Sequence, residues 1–315
     1  MKNKLKVLIT GCGGDIGQSI GKILKSKPEL FSLVIGADLH QNHAGKFIFD
    51  TCYTVSRCNS KEYQLEVLKI IKKNEIDLVI PVSEPELRII EANQYQDDFL
   101  GIPVIKANLL SLQIGFDKKL TSDFLSLHKL PFPKTSNISN YHEDKYPVII
   151  KSRNGSGSKS IHLVNNQEEI KLYEKIYPDF IVQEFLEDEG GEFTCGLFRS
   201  SSGEIRDIIL KRKLMGGFSG FGSREENPAI TKLLHELAVL LELRGSINVQ
   251  LRLVNGVPVI FEINPRFSST VLFRHMMGYE DVIWSIQDKL KIPLDLCQIN
   301  NSINNFYKGF TEYVD

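Results

Sequence analysis

Residues 247–266, INVQLRLVNGVPVIFEINPR, bring together side chains suited to holding a hard cation beside an anion: Gln250, Glu262 and Asn264, with Arg266 just beyond. A carboxylate flanked by amide oxygens suits Mg²⁺, which takes oxygen ligands, keeps several waters and completes its shell with substrate phosphates. Pro265 ends the run, and Arg266 adds an always-charged fork for an anionic ligand. Two lysines stand where anions could be met. Lys118 lies in the first turn of a helix predicted from residue 117, where a cation opposes the macrodipole and invites a functional explanation. Lys151 ends a strand that runs into the glycine-serine loop 152–160, whose backbone N–H groups can approach phosphates closely. That loop lacks the GxxxxGK[ST] order and the following helix of a Walker A loop.

The element that must position the cation ligands is a β-hairpin. Ile247, Val249, Leu251 and Leu253 alternate with polar residues, Val259, Phe261 and Ile263 alternate in the return arm, and Asn255-Gly256 supplies the turn. A two-residue turn there would set Gln250 opposite Phe261 and mix polar with apolar residues on both faces, which a buried face disfavours. A three-residue loop is therefore expected. It pairs Val249 with Ile263 and Leu251 with Phe261 on the buried side, and Gln250 with Glu262 and Asn248 with Asn264 on the other.

The 315 residues suffice for two or three domains, and 42% hydrophobic with 24% charged is ordinary for a globular protein. A net charge of −1 gives no footprint for nucleic acid. No apolar run is long enough to span a membrane and the amino terminus enters a strand at once, so a cytoplasmic location with no membrane partner is expected. Five scattered cysteines without a CxxC pair suggest neither a disulfide framework nor a zinc site, and Cys12 reads as a small tolerated side chain. The chain opens with strand 6–10, the loop Gly11 to Gly17 and a helix with Ile16, Ile20, Ile23 and Leu24 on one face, followed by strand 33–37. This is a parallel, Rossmann-like βαβ start. Its TGxxGxxG spacing, with Asp38 about 20 residues on and a YxxxK at Tyr141 and Lys145, also fits an NAD-dependent epimerase or dehydrogenase. Against that reading, Lys145 is followed at once by Tyr146-Pro147 and a strand, whereas such a pair belongs on a helix. Ser83 and Glu86 form a capping box after strand 77–82, although Glu84 beside them could face a ligand in the crevice beyond the strand ends.

Gln250 with Glu262-Ile263-Asn264-Pro265-Arg266 resembles the metal-binding signature of the ATP-grasp superfamily, particularly the branch containing the carbamoyl-phosphate synthetase large subunit and related carboxylate-amine ligases. The resemblance extends over nearly the whole chain in order. It implies a mixed α/β and α+β architecture: a Rossmann-like pre-ATP-grasp domain (1–107), a small lobe with the glycine-serine phosphate loop (108–182) and a large lobe with the metal hairpin (183–315). Lys118, Lys151 and Ser156 in the loop would then bind ATP phosphates. Gln183, Glu184, Phe185 and Leu186 would meet the adenine, and Glu192 the ribose. Gln250, Glu262 and Asn264 would hold Mg²⁺ or Mn²⁺, and Arg266 would stabilise an acyl phosphate or its carboxylate precursor. Alternation puts Lys211 and Lys213 on one face of strand 204–213, where Lys211 would lie over the triphosphate, and the loop Gly216 to Gly222 is a candidate lid. The implied chemistry joins a small-molecule carboxylate to an amine, or to a thiol, with ATP. A single unit without a glutaminase segment favours a stand-alone ligase over carbamoyl phosphate synthesis. An ATP-binding protein without turnover and a homodimeric assembly both remain open.

Overall fold

The computed structural model describes residues 4–143, 145–155, 161–187 and 190–314. The chain begins with β1 (Leu5–Thr10), α1 (Asp15–Lys25), β2 (Phe31–Asp38), β3 (Thr51–Thr54), α2 (Lys61–Asn74), β4 (Leu78–Pro81) and α3 (Glu84–Ala92). The four strands form a parallel sheet in the order β3-β2-β1-β4. α1 is helical because its apolar residues recur at helical spacing, so that Ile20, Ile23 and Leu24 are buried together. Gly17 lets the helix lie against the preceding loop, since a Cβ there would collide with the Gly11 carbonyl oxygen. Ser83 caps α3 as its sequence foretells: its hydroxyl accepts from the Glu86 amide at 3.4 Å and donates to the Glu86 carboxylate at 2.5 Å.

The short pair β5 (Asp98–Phe99) and β6 (Ile102–Pro103) leads into α4 (Leu109–Phe116) and α5 (Lys118–Leu127). Past β6 the chain bridges to the parallel sheet between Val104 and Val79. A second sheet, β7-β10-β8-β9, is built from β7 (Thr135–Asn137), β8 (Val148–Ser152) and β9 (Ile161–Val164), then, after α6 (Gln167–Ile176), β10 (Phe180–Glu184). It has its own small core of Ile138, Val148, Ile150, Val164, Ile170 and Val182. A lobe boundary after residue 182 falls inside β10, where Gln183 and Glu184 still pair with Ile149 and Val148.

The third sheet is antiparallel. It comprises β11 (Glu192–Arg199), β12 (Ile205–Met215), β13 (Phe218–Glu225) and, beyond α7 (Pro228–Leu240), β14 (Gly245–Val254) and β15 (Val257–Asn264). α8 (Val271–Met276) and α9 (Asp281–Lys289) follow, and β16 (Asn305–Tyr307) closes the β13 edge. Asn227 caps α7 by accepting from the Ala229 and Ile230 amides, with Pro228 at the first helical position. The helix buries Ile230, Leu233, Leu234 and Leu237, worth about 2 kcal/mol each. A continuous core runs from the parallel sheet at Leu8 and Val79, through Leu112 and Phe116 of α4, to Leu197 and Val249 of the antiparallel sheet.

The β14–β15 hairpin corrects the expected loop. Asn255 (φ 50) and Gly256 (φ 78) form a two-residue turn flanked by Val254 paired with Val257. A β-bulge between Gln250 and Leu251 then restores the register, so that Leu251 pairs with Ile260 while Gln250 pairs with Glu262 and Asn248 with Asn264. Phe261 is the extra residue, swung off the core face that Ile260 and Ile263 occupy. The segment 216–222, read as a loop, is instead the end of a second hairpin, β12–β13, turning at Gly216-Gly217.

Candidate active site

A cavity of about 870 Å³ lies between the second and third sheets and reaches the carboxyl ends of the parallel strands at Gly11, Val82 and Ser83. The hairpin supplies its floor. Gln250, Glu262 and Asn264 all line it, brought together because the bulge turns two consecutive residues, Phe261 and Glu262, toward the cavity. Neither the Gln250 nor the Asn264 side-chain amide makes a hydrogen bond among the described residues, and the Glu262 carboxylate forms an ion pair with Lys118 Nζ, 3.6 Å away. Uncommitted amide oxygens around a carboxylate fit a hard divalent cation. Asn248, on the same face, is committed elsewhere: its Oδ1 accepts from Thr194 Oγ1 at 2.8 Å and from the buried Arg274 guanidinium.

Cations converge on this floor from the opposite lobe. Lys151, at the end of β8, is 6% exposed, with Nζ 5.9 Å from the centre of the Phe261 ring. Burial holds its ammonium well below the usual lysine range, at about 8, with Glu262 opposing the shift and Lys118 adding to it. Lys118 Nζ donates to the Gly155 carbonyl at 2.7 Å, and its own amide donates to the Arg153 carbonyl at 3.1 Å. Asp117, which caps α5, pairs with Arg153 at 2.8 Å. The start of α5 is thereby tied to the strand entering the glycine-serine loop. Ser156 and residues 157–160 lie outside the described residues.

The adenine and ribose candidates share the cavity. Gln183 is buried and its amide donates to Thr135 Oγ1 at 3.0 Å; the Glu184 carboxylate accepts from the Lys134 amide at 3.1 Å. Phe185 and Leu186 follow β10 and also line the wall. Glu192 opens β11 with both oxygens engaged, Oε1 by Arg212 at 2.7 Å and Oε2 by Arg252 at 3.1 Å. Arg252 also donates to the Leu186 carbonyl at 2.5 Å, bracing the segment between β10 and β11.

Lys211 is not among the cavity residues. Glu192 pairs with Arg212, so Arg212 and Leu214 face the cavity, while Lys211 lies opposite Phe193 with Nζ 5.8 Å from that ring's centre. The alternation was right in period and wrong in phase. Arg212 and Arg252 were missed; the cross-strand neighbours of Glu192, once paired, would have pointed to both. Arg266 does line the cavity, its guanidinium donating to the Phe267 carbonyl at 2.9 Å. Burial lowers its pKa, and Glu262 and Glu84 oppose the shift. Ser268 and Ser269, just beyond Arg266, are also part of the wall. The Arg88 guanidinium, one helical turn on, donates twice to Glu84 Oε1, at 2.7 and 2.9 Å, an ion pair within α3, while the cap itself is made by Ser83 and Glu86.

The residues suggesting a dinucleotide site are occupied structurally. The Asp38 carboxylate accepts from the Gly13 amide at 2.8 Å and the His40 amide at 3.0 Å, which closes the glycine loop on itself. Tyr141 follows a 3-10 turn, Ile138–Asn140, rather than lying on an α-helix, and its hydroxyl donates to the Lys145 carbonyl at 2.6 Å.

Residues 116–270 match the ATP-grasp domain, and residues 7–105 match the PylC-like, N-terminal domain. The chain is 24% identical over 279 residues to the carbamoyl phosphate synthase large chain of Campylobacter jejuni, covering 79% of this chain and 25% of that one. It is 24% identical over 243 residues to D-alanine–D-alanine ligase B of Clostridium perfringens, covering 66% of this chain and 80% of that one. The crystal structure of N5-carboxyaminoimidazole ribonucleotide synthetase from Thermotoga maritima superposes with a TM-score of 0.69 at 18% identity, covering 94% of this chain and 78% of that one. The chain spans 25% and 35% of the length of two carbamoyl phosphate synthase relatives. Among the described residues no helix is long and apolar enough to cross a membrane.

Proposed function

Because the chain belongs to the ATP-grasp superfamily, we propose that it is an ADP-forming ligase that activates a small-molecule carboxylate with Mg·ATP and joins it to an amine. The observation that carries this reading is the cavity floor: one carboxylate, Glu262, flanked by the uncommitted amides of Gln250 and Asn264 and faced by Lys118 and Lys151. A floor with one carboxylate, Glu262, and cations converging on it suits phosphoryl transfer, which depends on positioning and charge neutralisation.

In this reading Glu262, Gln250 and Asn264 would hold Mg²⁺, or Mn²⁺, which would supply positive charge to neutralise the phosphates of ATP. The adenine lies along Gln183, Glu184, Phe185 and Leu186. Glu192, fixed by Arg212 and Arg252, accepts from the ribose hydroxyls. Lys118 and Lys151 orient the phosphate oxygens; Ser156, the other phosphate candidate, lies outside the described residues. An oxygen of the substrate carboxylate attacks the γ-phosphorus, the bond to the ADP oxygen breaks, and an acyl phosphate forms. The amine then attacks the acyl carbon, phosphate departs and the nitrogen loses a proton. Arg266, beside Glu262 at the end of β15, supplies fixed positive charge for the carboxylate and then for the acyl phosphate. The three-part division at 1–107, 108–182 and 183–315 belongs to the same proposal, with the second boundary moved past Glu184 to respect β10. The test is ADP release from Mg·ATP in matrices of carboxylic acids and amines. Release that requires one acid and one amine together supports ligation. Release independent of both contradicts it.

A further inference from the structure

Cys12, His43 and Cys52 are far apart in sequence and lie outside the cavity lining, yet their ligand atoms all fall within 4.8 Å of one another. The parallel sheet brings them together. Cys12 leaves the carboxyl end of β1 through Gly11, Cys52 sits in β3, and β2 runs between them. The β2 residue paired with Cys52 is Gly36, and a Cβ on it would lie 2.6 Å from Cys12 Sγ and 3.1 Å from Cys52 Sγ. The two sulfurs therefore fill the space above a position where no other residue fits. His43 closes over them from the turn before a 3-10 helix, with Nε2 3.9 Å from Cys12 Sγ. Its other ring nitrogen, Nδ1, is buried with no hydrogen-bond partner among the described residues.

We propose that Cys12, Cys52 and His43 form a binding site for a thiophilic divalent cation of the zinc class, separate from the oxygen-ligand floor of the cavity. Thiolate and imidazole donors select such ions over Mg²⁺. Tetrahedral bonds of about 2.3 Å to sulfur and 2.0 Å to nitrogen place neighbouring ligand atoms roughly 3.5 to 3.8 Å apart, so closing up from the 3.9 Å between Cys12 and His43, within a cluster bounded at 4.8 Å, takes shifts of about 1 Å at most. Two thiolates neutralise its charge, and a water takes the fourth position. Cys12 is buried whereas His43 and Cys52 are partly exposed, which leaves a way in from the surface. Binding would staple the loop whose neighbouring residues, Gly11, Gly14 and Asp15, line the cavity, and so fix the wall at the ends of the parallel strands. The inference does not rest on the ligase reading.

The reduced full-length chain is stripped with chelator and titrated with Co²⁺ and then Zn²⁺. One equivalent of Co²⁺ should produce a thiolate-to-cobalt charge-transfer band, which a Mg²⁺-type oxygen site cannot give, and Zn²⁺ should displace it and raise the melting temperature. Cys52→Ser and His43→Gln should each weaken binding at least about tenfold, the lower bound for loss of even a supporting residue. Cys58→Ser, at a nearby cysteine outside the cluster, should keep the band. The proposal is overturned if the reduced native chain shows no thiolate band, if the band survives both ligand substitutions, or if Cys12 and Cys52 are recovered as a disulfide that reductant does not open.

Discussion

Replacing Lys151 with methionine should make the ligand-free protein more stable and the nucleotide bind less well. The ammonium is almost fully enclosed, and displacement from 10.5 to about 8 corresponds to roughly 3 kcal/mol between its charged and neutral forms. The unfolded chain keeps this proton until about pH 10.5 and the folded chain only until about pH 8, so between these values the unfolded state binds more protons and stability rises with pH. Below about pH 8 the folded state carries the full penalty of a buried cation. Lys151→Met, which fills the space without a charge, should therefore gain up to about 3 kcal/mol over the native chain near neutral pH and lose most of that advantage near pH 10. Urea unfolding of both proteins at the two pH values measures the difference directly, and comparing variants cancels groups that titrate in both. Mg·ATP should reverse the order, because phosphates pair with the ammonium in the native chain and find nothing to pair with in the variant. The reasoning is refuted if Lys151→Met is less stable than the native chain near neutral pH, or if the gap between them is the same at both pH values.

Lys211→Met should leave ATP affinity and stability within about 0.5 kcal/mol of native, as for a side chain outside the site, whereas Arg212→Met should cost about 2 kcal/mol of stability by leaving the half-buried Glu192 with Arg252 alone; unfolding and nucleotide titrations compare the two. Arg266→Ala should retain nucleotide binding by calorimetry while lowering acceptor-dependent turnover about a hundredfold, the scale for removing one fixed charge donor from a transition state. Tyr141→Phe should cost about 1 kcal/mol in unfolding experiments, through the lost hydrogen bond to the Lys145 carbonyl, and nothing in ADP release. A turnover defect there would revive the dehydrogenase-type reading.

The hairpin illustrates what the sequence could reveal. The need to bury Val249 and Ile263 on one face fixes Gln250 opposite Glu262, and that pairing followed from the alternation alone. The route to it did not. A two-residue turn and a bulge give the same pairing as a longer loop, and nothing in composition marks Phe261 as the residue to be extruded. Lys211 failed for a related reason: alternation gives a period, but its phase depends on which β12 residue faces Glu192, a contact between strands. Asn248 shares the polar face of the hairpin, but that its oxygen is taken up by Thr194 and Arg274, the latter in a helix beyond the hairpin, shows only in three dimensions. The parallel sheet hides most, since Cys12 and Cys52 meet across an intervening strand that only the three-dimensional order supplies. The Ser83 cap, which acts within a few residues of itself, was legible.

Thermal unfolding of the native chain and Glu262→Ala, each with Mg·ATP, with ATP plus chelator, and with NAD⁺, tests the metal floor most directly. Mg·ATP at about 100 times its dissociation constant should stabilise the native chain by roughly 2.7 kcal/mol, and both the chelator and Glu262→Ala should remove most of that gain. Stabilisation by NAD⁺ alone, equal in the native chain and in Glu262→Ala, would contradict the ligase account and move the site to the loop from Gly11 to Gly17.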